Sequence, residues 1–269
     1  MTVPTRIVIA GAAGRMGRIL IRAVAEADSL QLVAALGVRG RSYVGEDAGE
    51  LSGCGPLNVS ISTDARAALA GADAILDFSS PRFTVQLSCL AAEMKVAHVI
   101  GTTGFSGEEQ NAITAAARRT VVIKSGNMSL GVTLLASFVR QAAKALPNFD
   151  IEILEMHHRN KVDAPSGTAL LLGAAAAGAR GFGLEDSQIR GRDGRTGIRA
   201  EGAIGFASLR GGTVVGEHHA IFAGPDERIS LSHAAENRMI FARGALAAAK
   251  WAQGKAAGLY SMEDVLGLA

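Results

Sequence analysis

The run Glu155-Met156-His157-His158-Arg159-Asn160-Lys161-Val162-Asp163-Ala164-Pro165-Ser166-Gly167-Thr168 gathers proton-transfer groups, cations and a helix-start signal in fourteen residues. Two adjacent histidines exchange protons near neutral pH, and Arg159 and Lys161 bring positive charge for an acidic ligand. Ser166 is an N-cap residue type, and the helix it opens points the backbone N–H groups of Gly167 and Thr168 outward, where a carboxylate can be held. A solvated basic turn is the plainer reading of the same charges. Apolar Ile151, Ile153 and Leu154 before the run, and 169–172 after it, weigh against a mere surface loop. The pattern is that of an active site for an anionic substrate.

A second stretch has the chemistry of phosphate binding. Ile7-Val8-Ile9-Ala10 is a short, continuously apolar run, as in a strand buried on both faces of a parallel sheet. It ends in Gly11-Ala12-Ala13-Gly14-Arg15-Met16-Gly17, followed by helical periodicity over 18–27. Strand, glycine turn and helix in that order bring backbone N–H groups and the helix dipole onto a pyrophosphate. The GxxGxxG spacing is a variant of the GxGxxG fingerprint. Its context makes Gly11, Gly14, Arg15, Met16 and Gly17 candidate dinucleotide contacts, with an ordinary strand-to-helix turn as the alternative.

The elements needed to position these residues follow from the apolar rhythm. Segments 32–36, 74–78, 97–100 and 121–123 read as strands, with helices over 65–69 and 84–94, which is the alternation of a doubly wound parallel sheet. Gly101-Thr102-Thr103-Gly104 and Ser125-Gly126-Asn127-Met128-Ser129 each follow a strand at the carboxyl edge, where open α/β sheets bind ligands. Gly101, Thr102, Thr103, Gly126, Asn127 and Met128 are therefore candidate contacts on the nicotinamide side of a dinucleotide, with loop chemistry alone as the alternative, since Gly and Asn are usual turn residues. After residue 130 the rhythm changes. Helix 132–146, strand 150–155, the basic motif and helix 168–179 lead to runs 200–209, 213–223 and 228–233. These three runs read as antiparallel strands joined by the turns Arg210-Gly211-Gly212 and Gly224-Pro225-Asp226. A last helix, 238–253, is expected to pack back on the first domain. Residues 1–129 plus 239–269 then form a dinucleotide-binding domain, and 130–238 a smaller, mixed α+β domain.

Composition removes several classes. With 269 residues, 48% of them hydrophobic, the chain can bury a full core in two domains. A net charge of +2, from 27 basic and 25 acidic side chains, gives no reason to invoke nucleic acid or a membrane surface. Cys54 and Cys89 lack CxxC spacing and read as reduced structural thiols of a cytoplasmic protein. No secretory signature precedes the first strand, and the apolar run 169–177 is too short and glycine-broken to span a bilayer. Paired histidines are also metal-ligand material. Adjacent strand residues face opposite sides, however, and no Cys/His quartet or HExxH accompanies them, so no metal is expected. His218, His219 and His233 read as structural or interface residues, and His98 as part of a core strand.

The sequences Gly11-Ala12-Ala13-Gly14-Arg15-Met16-Gly17-Arg18, Ile100-Gly101-Thr102-Thr103-Gly104-Phe105 and Glu155 through Ala169 together closely resemble the 4-hydroxy-tetrahydrodipicolinate (dihydrodipicolinate) reductase family. Weaker matches continue through Gly202-Ala203-Ile204-Gly205-Phe206-Ala207, Val215-Gly216-Glu217-His218-His219, Lys250-Trp251 and Asp264-Val265-Leu266, so the likeness spans essentially the whole chain. The third motif is specific to the family, whereas the first is shared by many nucleotide-binding folds. The resemblance implies a Rossmann-like domain and a second domain that binds substrate and assembles a homotetramer. It also implies NADPH or NADH as cofactor, and reduction of a cyclic imine dicarboxylate in lysine and diaminopimelate biosynthesis. By the same resemblance His158, Lys161, Ser166, Gly167 and Thr168 bind substrate, and His157 and Lys161 form the acid/base pair, one or the other being the final proton donor.

One loop departs from the relatives. Several of them carry an acid followed by arginine after the second strand, where this chain has Leu36-Gly37-Val38-Arg39-Gly40-Arg41. With the ribose-gripping acid absent and Arg39 and Arg41 at hand, NADPH is expected to be preferred over NADH; two arginines covering a solvated loop are the alternative. Two other functions compete. A semialdehyde dehydrogenase would need an activated cysteine, which neither Cys54 in its glycine loop nor Cys89 in its apolar run supplies. A non-catalytic NAD(P)-sensing protein would have no use for the intact cluster from His157 to Thr168.

Overall fold

The computed structural model describes residues 3–268, so Met1, Thr2 and Ala269 of the expected dinucleotide domain lie outside it. Short apolar runs form β1 (Thr5–Ala10), β2 (Leu30–Leu36), β3 (Ile61–Ser62), β4 (Ala74–Asp77), β5 (Ala97–Ile100) and β6 (Val121–Lys124). Between them lie α1 (Arg15–Ala25), α2 (Ala48–Ser52), α3 (Ala65–Leu69), α4 (Pro81–Met94) and α5 (Gly107–Ala117). The next stretch gives α6 (Leu130–Ala145), β7 (Asp150–His157), α7 (Gly167–Ala179), α8 (Leu184–Ser187), β8 (Gln188–Arg190), β9 (Ile204–Arg210), β10 (Gly216–Gly224) and β11 (Glu227–Ala235). The chain closes with α9 (Met239–Trp251), β12 (Gly258–Tyr260) and α10 (Met262–Leu266). It divides into two compact units, Gly131–Arg238 and the segments on either side of it.

In the first unit seven strands run parallel in the order β12-β6-β5-β4-β1-β2-β3. This is the Rossmann-like, doubly wound sheet. Ile7, Ile9, Leu76, Val99 and Ile123 are fully buried, with Ile21 of α1 and Ala245 of α9 packed over them. Helix α5, not anticipated above, starts at a capping box in which Ser106 and Glu109 satisfy each other's backbone amides.

The second unit holds a mixed sheet in the order β11-β10-β7-β9-β8. Helices α6 and α7 bury Leu135, Val139, Leu172 and Ala176 against Ile151, Ile153, Phe206 and Phe222. The antiparallel reading of runs 200–209 and 213–223 needs correction. β9 pairs in parallel with β7, and β10 pairs antiparallel with β7 on its other side, so Arg210-Gly211-Gly212 closes no hairpin. The loop instead crosses the end of β7, where the Gly211 amide donates to the His157 carbonyl at 2.9 Å. A second correction concerns the cysteines. Cys54 and Cys89 are free, but both are exposed, so neither thiol packs in the core.

Candidate active site

In the first unit the chain leaves β1 where the strand order reverses, β2 lying on one side and β4 on the other. Ligands of open α/β sheets bind at such switch points. Gly11 has φ +76°, and a Cβ there would come within 3.0 Å of the Phe78 carbonyl oxygen, so only glycine makes this turn without strain. A Cβ on Gly17 would drive into the Gly11 carbonyl oxygen and lie 2.6 Å from that of Ala12. Gly17 thus sets how closely α1 approaches the strand. No side chain caps α1, whose N-cap is Gly14, and its positive dipole end is left for an anion.

A cleft of about 690 Å³ opens on this turn, lined by Gly11, Gly14, Arg39, Arg41, Tyr43 and Ser79 among others. At the end of β2, where dinucleotide folds that choose NAD place an acid, Gly37 leaves no room for one. A Cβ there would lie 2.7 Å from the Tyr43 ring and 2.8 Å from Ile61. The Tyr43 hydroxyl oxygen accepts the Val38 amide at 3.2 Å. An aromatic ring therefore fills the space in which a carboxylate would sit.

The two loops at the carboxyl edge divide their residues between scaffold and surface. Thr102 is buried, its Oγ1 accepting the Ser79 amide at 3.0 Å and lying 3.1 Å from Thr84 Oγ1. Beneath it Asp77 accepts the Ser79 hydroxyl at 2.5 Å and sits 3.1 Å from His98 Nε2, in the core strand expected for that histidine. A Cβ on Gly101 would overlap the Phe78 ring. Met128 is 1% exposed, and Asn127 Oδ1 accepts the Ser129 amide at 2.8 Å. Thr103 and Gly126 are exposed. Of the expected contacts, Thr102 and Met128 thus turn their side chains into the protein.

The buried face of β7 carries Ile151, Ile153, Glu155 and His157, so it changes from packing to proton chemistry at its carboxyl end. His157 Nδ1 lies 2.5 Å from Glu155 Oε2. The Arg210 guanidinium donates to both oxygens of this carboxylate at 2.8 Å, and Oε1 also receives the Ser166 amide at 3.3 Å. Burial alone would raise the Glu155 carboxyl, but Arg210, Ser208 and His157 outweigh it and hold the group at about 2. An ionised carboxylate only accepts, so Nδ1 carries the proton and Nε2 is left for proton exchange. A Cβ on Gly216 would come within 2.9 Å of that Nε2, and the glycine is what leaves space for it. Burial lowers His157 below the usual histidine range, Glu155 opposing the shift and Lys161 and Arg210 adding to it.

His218 meets His157 edge-on at 5.1 Å between ring centroids, and its Nε2 is 2.8 Å from Ser166 Oγ. Burial first, and the His157 charge second, push it down to about 4, so it is neutral at pH 7. Ser166 caps α7, its Oγ accepting the Ala169 amide at 3.1 Å. A Cβ on exposed Gly167 would meet nothing within 4 Å, so the approach to the helix start is unobstructed there. Lys161 Nζ, on a side chain 19% exposed, donates to Asp163 Oδ1 and Oδ2 at 2.8 and 2.9 Å. The lysine thus already holds a carboxylate of its own chain.

His157, His158, Lys161, Ser166, Gly167 and Thr168 are thus brought together at the end of β7 and the start of α7. Sequence reasoning gave no site role to Glu155, Asp163, Arg210 or Tyr43, and it read His218, which here packs against His157 and Ser166, as a structural or interface residue. Glu155 had a signal, because residues two apart on a strand share a face. Arg210 had none, since it arrives by the pairing of β9 with β7.

A doubly wound sheet with a glycine turn at its switch point, and a second unit in which histidines, a lysine and an open helix start come together, define a dinucleotide-dependent oxidoreductase. Residues 5–128 match the family model for the dihydrodipicolinate reductase N-terminus and residues 131–266 the one for its C-terminus. The chain belongs to the dihydrodipicolinate reductase family, and is an NAD(P)H-dependent enzyme of lysine and diaminopimelate biosynthesis. The 4-hydroxy-tetrahydrodipicolinate reductase of Beijerinckia indica subsp. indica is 59% identical, over 98% of this chain and 97% of that protein. That of Parvibaculum lavamentivorans is 57% identical over 100% of both. A dipicolinate-bound dihydrodipicolinate reductase from Paenisporosarcina sp. TG-14 superposes with a TM-score of 0.79 at 26% identity, covering 96% of this chain and 98% of that one. An amine dehydrogenase from Mycobacterium smegmatis, at TM-score 0.61 and 14% identity over 96% and 95% of the two chains, shares the fold alone.

Proposed function

We propose that this chain reduces a cyclic imine dicarboxylate, 4-hydroxy-tetrahydrodipicolinate or its dehydrated form dihydrodipicolinate, to tetrahydrodipicolinate. The reading rests on the cluster in which buried His157, ion-paired Lys161 and the start of α7 meet at the end of β7. Bound NAD(P)H supplies the hydride; the protein binds, orients and moves the proton. Backbone N–H groups of Gly167 and Thr168 and the Ser166 hydroxyl take one carboxylate, and Lys161 and His158 attract the other. His157 through Nε2, or Lys161, delivers the proton.

In the first unit Gly11, Gly14, Arg15, Met16 and Gly17 hold the pyrophosphate. Gly101, Thr102, Thr103, Gly126, Asn127 and Met128 shape the nicotinamide side, Thr102 and Met128 through their backbone. NADPH is preferred over NADH: Arg39 and Arg41 line the cleft, and Gly37 has no space for an acid. The Tyr43 oxygen already accepts from Val38, so its hydroxyl is a donor suited to a phosphate. The second unit binds substrate and assembles a homotetramer, whose interface would cover the exposed apolar Leu209 and Ile229. Free thiols at Cys54 and Cys89 fit a cytoplasmic enzyme.

The test is oxidation of NADPH and NADH with freshly generated substrate, followed by loss of reduced-nicotinamide absorbance. Turnover is expected; cofactor binding without turnover would leave a non-catalytic sensor. Arg39→Ala with Arg41→Ala should lower kcat/KM for NADPH more than for NADH, and an equal loss for both would remove the support for the preference.

A further inference from the structure

The Glu155 carboxylate is the junction of three parts of the candidate site. Oε2 faces His157 Nδ1, and Oε1 receives the amide of Ser166, the N-cap of α7. Arg210 holds both oxygens in a fork at 2.8 Å, and the same guanidinium donates to the Asp163 carbonyl at 2.7 Å. Asp163 in turn grips Lys161 through its side chain. One cation therefore ties the imidazole, the helix start and the lysine loop to a single point. Arg210 gets there because β9 runs parallel to β7 with Arg210 in register with His157. An arginine fork suits this place because it is planar and always charged, and it can serve a carboxylate and a carbonyl together.

We propose that Arg210 is a positioning residue of the reductase reaction, which through the Glu155 carboxylate and the Asp163 carbonyl fixes the tautomer of His157 and the placement of Lys161. It touches neither substrate nor cofactor in this scheme. The inference rests on the proton-exchange role given to His157 above. The charged and titratable groups around that imidazole are Glu155 on β7, Arg210 on β9, His218 on β10 and Lys161 in the following loop. Without the fork Glu155 keeps its burial but loses its strongest partner, and the imidazole loses a neighbouring positive charge.

Arg210→Ala and Arg210→Lys test this, with Tm, NADPH affinity, kcat, the pH profile of kcat/KM and a histidine-selective 15N spectrum as readouts. In Arg210→Ala kcat should fall about 10²-fold, as for a catalytic group displaced by about 1 Å, with NADPH affinity unchanged. The limb of the profile that His157 sets, activity being lost as pH rises and the imidazole gives up the proton it delivers, should move to higher pH, and the His157 signals should change from one tautomer to a mixture. Millimolar guanidinium should restore part of the rate. Arg210→Lys keeps the charge without the fork; it guards against an alanine variant that fails to fold, and should recover the profile more than the rate. A folded Arg210→Ala enzyme with wild-type rate, profile and tautomer would overturn the proposal, as would a rate loss with the tautomer and profile unmoved. If the tautomer is lost while the rate holds, the positioning stands and the role of His157 is what fails. A fully active His157→Ala variant would identify that failure directly.

Discussion

Replacing Gly167 by proline isolates one backbone hydrogen bond of the proposed carboxylate seat. Gly167 is the first residue of α7, behind Ser166 at φ −65° and ψ 154°. Proline is favoured at that helix position, where its missing N–H has no partner within the helix, and the extended Ser166 is the conformation a pre-proline residue adopts. A Cβ at Gly167 meets nothing within 4 Å, so added atoms have space. Helix and cap should therefore survive, with Tm moving by less than about 4 °C, the size of a 1 kcal/mol effect in a chain of this length. What disappears is a donor to a charged acceptor, worth about 1.5–3 kcal/mol, which converts to a rise in substrate KM of about 10- to 150-fold. Steady-state kinetics at saturating NADPH measure it, with Gly167→Ala, which keeps the N–H, as the control for bulk. Thr168→Ala, which removes a hydroxyl but leaves its amide, should be milder than the proline. A folded Gly167→Pro enzyme with unchanged KM, or one less impaired than Thr168→Ala, would refute backbone recognition of the carboxylate.

Two further outcomes follow from burial and close approach. Gly17→Ala places a Cβ against the Gly11 and Ala12 carbonyl oxygens and should cost on the order of 3 kcal/mol together with dinucleotide binding; Gly178→Ala, with open space around it and far from the glycine turn in sequence, should be near neutral, and equal effects in melting and NADPH titration would contradict the packing argument. His218 is held at about 4 against an ordinary 6.5, so the unfolded chain takes up its proton first. The stability it contributes is complete above pH 6.5 and is lost as pH falls from 6.5 to 4, by about 3 kcal/mol in all. Glu155, also lowered, adds a further loss between its ordinary 4.5 and about 2. Urea unfolding of His218→Asn at pH 7 and pH 5 checks this: the variant should lose much less stability between the two than the parent, and equal losses would count against the imidazole.

Local chemistry determined much of what this chain does, and it is legible without coordinates. The apolar runs and glycine turn of the first unit, the N-cap at Ser166 and the grouping of His157, His158 and Lys161 depend on neighbours a few residues away. Helix α5 was legible too, in the Ser106 and Glu109 capping box, although its periodicity is weak. The tertiary structure decided which distant segments share a hydrogen bond or a volume. The parallel pairing of β9 with β7 replaces the hairpin that its turn residues suggest, and it delivers Arg210 to Glu155 from 55 residues away. Tyr43 folds back onto Gly37 and fills the space of an acid, so an absence in the sequence becomes a steric fact. Cys89, within an apolar run, turns outward because helical phase, and not the run, sets its face. Turns, caps and strand alternation are short-range preferences of backbone and side chain. The partners of Glu155 and Gly37 depend on the order in which strands and loops come to lie together, which no short window of sequence contains.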